Sequence, residues 1–173
     1  MKLPVVDFSG FQEDIFNSIE SHLANLGFRI VDRALDKPWG GFYVIDEAQA
    51  KDFAAQYFPE IDFNTISIIG RLSPKILAVA PGKRLSWQYH YRRAEIWRLV
   101  AGKAAITTSD DDVERNNREI QMGEVIRLKQ GERHRLIGLD NWGMIAEIWQ
   151  HTVAGNLSDE SDIVRLQDDF VRK

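Results

Sequence analysis

A chain of 173 residues suits a single folded unit, and its apolar share of 44% is enough to fill one core. The net charge is −4 and there is no basic tail or Lys/Arg stripe, so nucleic acid is not expected as a partner. Cysteine is absent, which excludes disulfides, thiolate metal sites and cysteine nucleophiles; any metal must be held by nitrogen and oxygen. The N-terminal MKLPVVDFSGF has no hydrophobic signal core, and no apolar run approaches the ~20 residues of a membrane span. The expectation is a soluble cytoplasmic protein with no membrane partner.

Residues 9–27 carry a helical period: Phe11, Ile15, Ile19, Leu23 and Leu26 recur at three- and four-residue spacing, Ser9 or Gly10 caps the start, and Gly27 ends it. On this helix His22 is read as a surface residue. Pro38, Gly40 and Gly41 mark a turn in KPWGG. A second helix is predicted from Asp46 to Tyr57, with Ala48, Phe53 and Tyr57 on its apolar face and Pro59 as its stop.

From about Ile66 short β-rich runs follow one another: ISIIGRL, KILAVA, RLSWQYH, EIWRLVAG, AAITTS, EVIRLKQG, HRLIGL and MIAEIWQHT. Regular short strands with turn signals between them predict a mainly β sandwich or closed barrel. DDDVERNN, residues 110–117, reads as a solvated loop, and SDESDIVRLQDDF as a short helix or last strand. The expected organisation is one structural unit: a helical extension over 1–65 packed on a barrel with a C-terminal tail over 66–173.

Four polar residues in the β-rich part have the spacing of metal ligands. Gln88 and His90 are two apart and share a face of a strand, Glu95 follows after a short turn, and His134 comes from a separate segment. Gly82 and Gly102 bracket the first stretch; Gly123 and Gly131 precede His134. Imidazole, carboxylate and amide donors suit zinc first, with manganese, iron, cobalt or nickel as alternatives. His151 has no such context and is placed near a pocket rim.

The two stretches resemble the paired motifs of the cupin superfamily, with Gln88 where the first histidine usually stands. Lys129 and Gly138 replace the usual proline and asparagine of the second motif, and neither position is a ligand. RLSWQYHYRRAEIW, GERHRL and the closing DIVRLQDD, together with KPWGGFY, are similar to the cupin domain of type II phosphomannose isomerases. That resemblance covers residues 37–170, apart from a helical stretch near 46–65. It implies a cupin jelly-roll barrel. It also implies one divalent ion on Gln88, His90, Glu95 and His134, and interconversion of mannose 6-phosphate and fructose 6-phosphate or a related phosphosugar. By the same resemblance Arg135, next to His134, has a catalytic role. The glycine-rich sugar-nucleotide signature of the fused relatives does not occur in these residues.

The chemistry assigns further roles. Glu147, on MIAEIWQ, is a candidate for the base that takes the C–H proton, with pairing to Arg93 or Arg135 as its structural alternative. Lys75, Arg84, Arg93 and Lys37 are candidate phosphate contacts. Trp87, Trp97 and Trp149 are expected in the core, one of them against a sugar face. Two other functions stay open: a non-catalytic sugar-binding cupin that retains its metal, and another metal-dependent cupin enzyme such as a dioxygenase. Exposed sheet edges favour a homodimer.

Overall fold

The computed structural model describes residues 1, 7–67 and 70–171. It contains helix α1 (Gln12–Asn25), strands β1 (Ile30–Lys37) and β2 (Gly40–Ile45), helices α2 (Ala50–Tyr57) and α3 (Phe63–Ile66), and seven further strands. These are β3 (Lys75–Val79), β4 (Trp87–Tyr89), β5 (Arg93–Ser109), β6 (Arg118–Glu119), β7 (Val125–Leu128), β8 (Arg133–His151) and β9 (Val164–Gln167). All pairings are antiparallel, in the order β1-β2-β3-β8-β4-β9, with β5 joined to β6, β7 and β8.

Alternation divides the sheet into two faces. On β3, β5 and β8, residues Ile76, Ala78, Ile96, Val100, Met144, Ala146 and Ile148 pack with α1 and α2 through Ile15, Ile19, Leu23, Phe53 and Tyr57. Their strand neighbours Leu77, Val79, Trp97, Leu99 and Ile145 form a second cluster inside the barrel, with Leu136 and Ile106. A strand buried on both faces reads as a continuous apolar run, as KILAVA does.

Several expectations are corrected. EIWRLVAG and AAITTS are one strand, β5, and HRLIGL and MIAEIWQHT are one strand, β8; the two pair from Arg93–His151 to Ser109–Arg133. Gly102 lets β5 bend without ending: its φ is 69°, and a Cβ there would lie 1.8 Å from the Trp142 carbonyl oxygen. ISIIGRL is not a strand in its described part. Ile66 ends α3, which Asp62 caps, and the Glu47 carboxylate takes the Leu72 and Ser73 amides at 2.6 and 2.9 Å; residues 68–69 lie outside the described residues.

The stretch expected to be helical also holds the β1–β2 hairpin, whose second strand pairs with β3 and so continues the sheet. Mostly exposed or half-buried positions on β1 and two glycines opening β2 hid its period. Helix α1 starts after Phe11, which is 84% exposed rather than packed, and Ala48 is exposed as well. His22 is buried, not on the surface, with its Nε2 3.1 Å from the Tyr57 hydroxyl.

Candidate metal centre and cavity

Three of the four expected ligands converge. Ligand atoms of His90, Glu95 and His134 all lie within 4.8 Å of one another, and all three residues are buried. His90 directly follows β4, Glu95 is the third residue of β5, and His134 the second of β8. Gly131, at φ 78°, turns the chain before β8, and its amide donates to the His90 carbonyl at 3.0 Å, tying the two ligand-bearing segments together.

The imidazoles are set for coordination. His90 Nδ1 lies 2.7 Å from the Asp162 carbonyl oxygen and His134 Nδ1 2.9 Å from that of Glu132. A carbonyl only accepts, so each Nδ1 carries a proton, and Nε2 is the ring atom left to bind an ion. Both Nε2 atoms face the Glu95 carboxylate, at 3.1 Å for His90 and 3.4 Å for His134. His134 Nε2 is buried without a hydrogen-bond partner. Two imidazole Nε2 atoms around one carboxylate, one of them without a hydrogen-bond partner, fit a divalent cation. Burial works against ionisation of Glu95, yet His90, Arg93 and His134 hold its carboxyl well below the usual range. Gln88 pairs in register with His134 and lines the adjoining cavity; its Oε1 accepts from Ser86 Oγ at 2.8 Å.

The cavity measures about 300 Å³, at the small end for ligand sites. Its walls include Gln88, Glu95, Trp97, Glu147, Trp149 and Arg93. Glu147 faces inward from β8, opposite Trp97. The Trp97 indole N–H is shared between Glu147 Oε2 at 2.8 Å and Glu95 Oε2 at 3.1 Å, and the Trp149 N–H donates to Glu147 Oε1 at 2.9 Å. The carboxyl of Glu147 is pushed up to about 7, by burial first and by the Glu95 charge second, with Lys75 and Arg93 pulling the other way. Such a group exchanges protons near neutrality.

Of the expected cationic contacts, Lys75, Arg93 and Lys37 line the cavity. Lys75 is buried, lies 4.1 Å from the Trp149 ring centroid and pairs with Glu160. Arg93 stacks on Trp149 at 3.6 Å while binding Glu95 Oε1 at 2.8 Å and Ser158 Oγ at 2.9 Å. Lys37 and Trp39, from the β1–β2 turn, reach the same space, and Arg165 joins them from β9. Arg165, Ile163 and Glu160 were not anticipated as lining; only the DIVR motif hinted at them.

Arg84 and Arg135 do not line the cavity. Arg84 is bound to Asp169 at 2.6 and 2.9 Å. Arg135 is fully buried, donating to the Leu85 carbonyl at 2.8 Å and to both Glu114 oxygens at 3.0 Å, and it also meets Gln167. Alternation along an unbroken strand would put Arg135 on the face of Glu147. The register inverts this: between Gly143–Gly102 and Gly138–Ala104, β8 advances five residues while β5 advances two. His134 and Leu136 therefore face inward and Arg135 does not. Glu114 is thereby a partner of Arg135, although it belongs to the loop read as merely solvated. Trp87 is core, with its N–H on the Asp112 carbonyl. His151 is buried against Ser73 Oγ and the Ser158 amide rather than at a rim.

Among curated proteins, mannose-1-phosphate guanylyltransferase of Salmonella montevideo is 29% identical over 161 residues, 92% of this chain and 28% of that protein. Alginate biosynthesis protein AlgA of Pseudomonas aeruginosa is 30% identical over 128 residues, 72% of this chain and 24% of its own length. The chain thus spans about a quarter of these relatives. Among solved structures, capsular polysaccharide assembling protein CapF of Staphylococcus aureus has a TM-score of 0.53 at 16% identity, over 79% of this chain and 34% of that one. A mutant of Bacillus subtilis oxalate decarboxylase OxdC reaches 0.54 at 15% identity, over 78% and 30%. These structures match the mainly β cupin fold of this chain, which also has a helical N-terminal part. No helix among the described residues is long and apolar enough to cross a membrane. Residues 46–168 match the family model described as Mannose-6-phosphate isomerase C-terminal, and the chain belongs to that family.

Proposed function

We propose that this chain is a metal-dependent aldose–ketose isomerase interconverting mannose 6-phosphate and fructose 6-phosphate or a close phosphosugar. The observation that carries the proposal is a buried, near-neutral carboxyl, Glu147, joined through one indole N–H to the carboxylate of a His–Glu–His cluster, with both carboxylates on one cavity wall.

His90, Glu95 and His134 would hold the ion, with Gln88 as a fourth ligand once its amide oxygen leaves Ser86. Zinc is the first candidate for this donor set. The ion supplies Lewis-acid stabilisation of negative charge on the sugar's O1 and O2.

The remaining work falls to side chains of the cavity. The Glu147 carboxylate takes the C2 proton of the open-chain aldose. The electron pair left behind forms C1=C2, and negative charge develops on O1. The O2 proton passes to O1, Glu147 returns its proton to C1, and the carbonyl now stands at C2. Trp97 and Trp149 hold both Glu147 oxygens in place, so the carboxylate does not rotate away from the carbon acid. Lys75 and Lys37, with Arg165 beside them, supply the positive charge for a phosphate at the cavity wall. Arg93, committed to Glu95 and Ser158, chiefly orients the metal-binding carboxylate.

The test is ketose formation by zinc-, manganese- or cobalt-loaded protein from mannose 6-phosphate, beside unphosphorylated mannose. Fructose 6-phosphate from the phosphorylated sugar alone supports the proposal. Phosphosugar binding without turnover, under every metal, would contradict it and favour a binding cupin.

A further inference from the structure

Of the closing motif SDESDIVRLQDD the isomerase chemistry above uses only Ser158 and Arg165, yet the motif is also fastened to the metal-binding turn. Asp162 is buried although it lies in the connection between β8 and β9. Its side-chain oxygens accept the Tyr91 amide at 3.0 Å, the Arg92 amide at 2.9 Å and the Ser158 hydroxyl at 2.6 Å. Its own carbonyl accepts the Nδ1–H of His90 at 2.7 Å. One residue therefore grips both the turn that follows His90 and the imidazole of His90.

The same segment forms part of the cavity wall. Glu160 pairs with Lys75, and Ile163 and Arg165 line the cavity immediately after Asp162. Ser158, which donates to Asp162, also accepts from Arg93, the residue that binds Glu95. Further along, Gln167 meets Arg135 and Asp169 meets Arg84, so these two arginines secure the strap from outside the cavity.

We propose that Asp162 is a positioning residue that couples docking of the 158–169 strap to the orientation of His90 Nε2. Metal binding and closure of the cavity wall are then one linked equilibrium. The inference rests on the metal-site part of the function proposed above, not on the identity of the sugar. Its chemistry is that of an outer hydrogen bond which fixes a histidine tautomer and ring plane; losing such a bond weakens metal affinity by about 10- to 100-fold.

The experiment is calorimetric titration of zinc into metal-free full-length protein, for the wild type, D162A, D162N, S158A and D159A, each checked for native circular dichroism. D162A keeps the main-chain carbonyl but loses the three side-chain bonds that hold it against His90, and is expected to bind about 10- to 100-fold more weakly. D162N, which keeps one accepting oxygen, should fall between D162A and the wild type. D159A keeps its backbone carbonyl on Arg93 and removes an exposed carboxylate, so it should bind as the wild type does. In 15N-labelled metal-free protein, His90 should show a single Nδ1–H tautomer in the wild type and a mixture in D162A, a signature that general destabilisation would not produce. If D162A does not fold, S158A carries the same expectation at about 3- to 10-fold, since it removes one of the three bonds to the carboxylate. Equal zinc affinity and an unchanged His90 tautomer in a folded variant would overturn the coupling. A wild type that binds no divalent ion would overturn the metal site itself, a separate result.

Discussion

The two sides of the central sheet bury very different material. Against α1 and α2 the contacts are mostly apolar and aromatic: Phe28, Phe53 and Tyr57 pack ring to ring, His22 is held by Tyr57, and Arg98 donates to the Tyr57 carbonyl and pairs with Glu60. One residue away along the same strands, the inner face buries Lys75, Arg93, Glu95, Glu147, His90 and His134. Burying ions is costly unless each is paired, and a well-packed apolar set of similar volume is often the more stable choice. The helical side is dominated by apolar packing, with the charge of Arg98 paired to Glu60. The inner side retains charges at that cost, which is what a site for an ion and an anionic ligand requires.

Substitutions on the two faces should separate these roles. The largest effect is expected for His134→Ala, which removes a ligand and leaves Glu95 facing one imidazole. Zinc affinity should fall by more than about 100-fold and isomerisation below detection, read by calorimetry and a coupled ketose assay. Glu147→Gln comes next: kcat should drop by about 10²–10⁴ while zinc affinity stays within a few-fold, because the amide cannot take a proton. If zinc affinity fell in parallel with kcat, Glu147 would belong to the metal's support and not to proton transfer.

Phe53→Ala, on the helical side, should destabilise the fold by about 3–5 kcal/mol in denaturant titrations and leave the affinity of the folded fraction unchanged. A change in metal affinity there would mean that the two faces are not independent.

The pH dependence sharpens the same contrast. Glu147's carboxyl rises from 4.5 to about 7 in the fold, so over that window the folded metal-free protein holds a proton that the unfolded chain has lost. Its contribution to stability is therefore full below about pH 4.5 and declines as pH rises toward 7. Glu147→Gln removes the decline, so its melting temperature should gain on the wild type between pH 5 and 8. The smallest effect belongs to the strap's outer clip. Asp169 is held well below the usual carboxylate range by Arg84, so that stabilisation is present at neutrality and fades as pH falls below about 4. Both side chains are about a third exposed, and Arg84→Ala should cost no more than about 1 kcal/mol near neutral pH.

Much of the site was readable because ligand spacing survives any fold that keeps strand alternation. Gln88, His90 and Glu95 lie close together in the chain, and His134 follows a glycine turn. Glu147 was readable for the same reason, since MIAEIWQ alternates without interruption. Arg135 was not, because its face depends on the irregular stretch between Gly138 and Gly143, where five residues oppose two. The β1–β2 hairpin escaped notice because an edge strand of exposed residues has no period to read. The grip of Asp162 on His90 passes through a main-chain carbonyl, which any residue type possesses, and so left no trace beyond the DIVR motif.

Wild type and E147Q should be compared with mannose 6-phosphate in deuterated water, both zinc-loaded and followed by NMR. The proposed chemistry requires fructose 6-phosphate to form on the wild type, with deuterium entering C1 to the extent that Glu147 exchanges its proton with solvent, and product and label slowed by about 10²–10⁴ on the variant while its zinc remains bound. Ketose formation by E147Q at the wild-type rate would contradict the role of Glu147, and no ketose from the zinc-loaded wild type would contradict the isomerase.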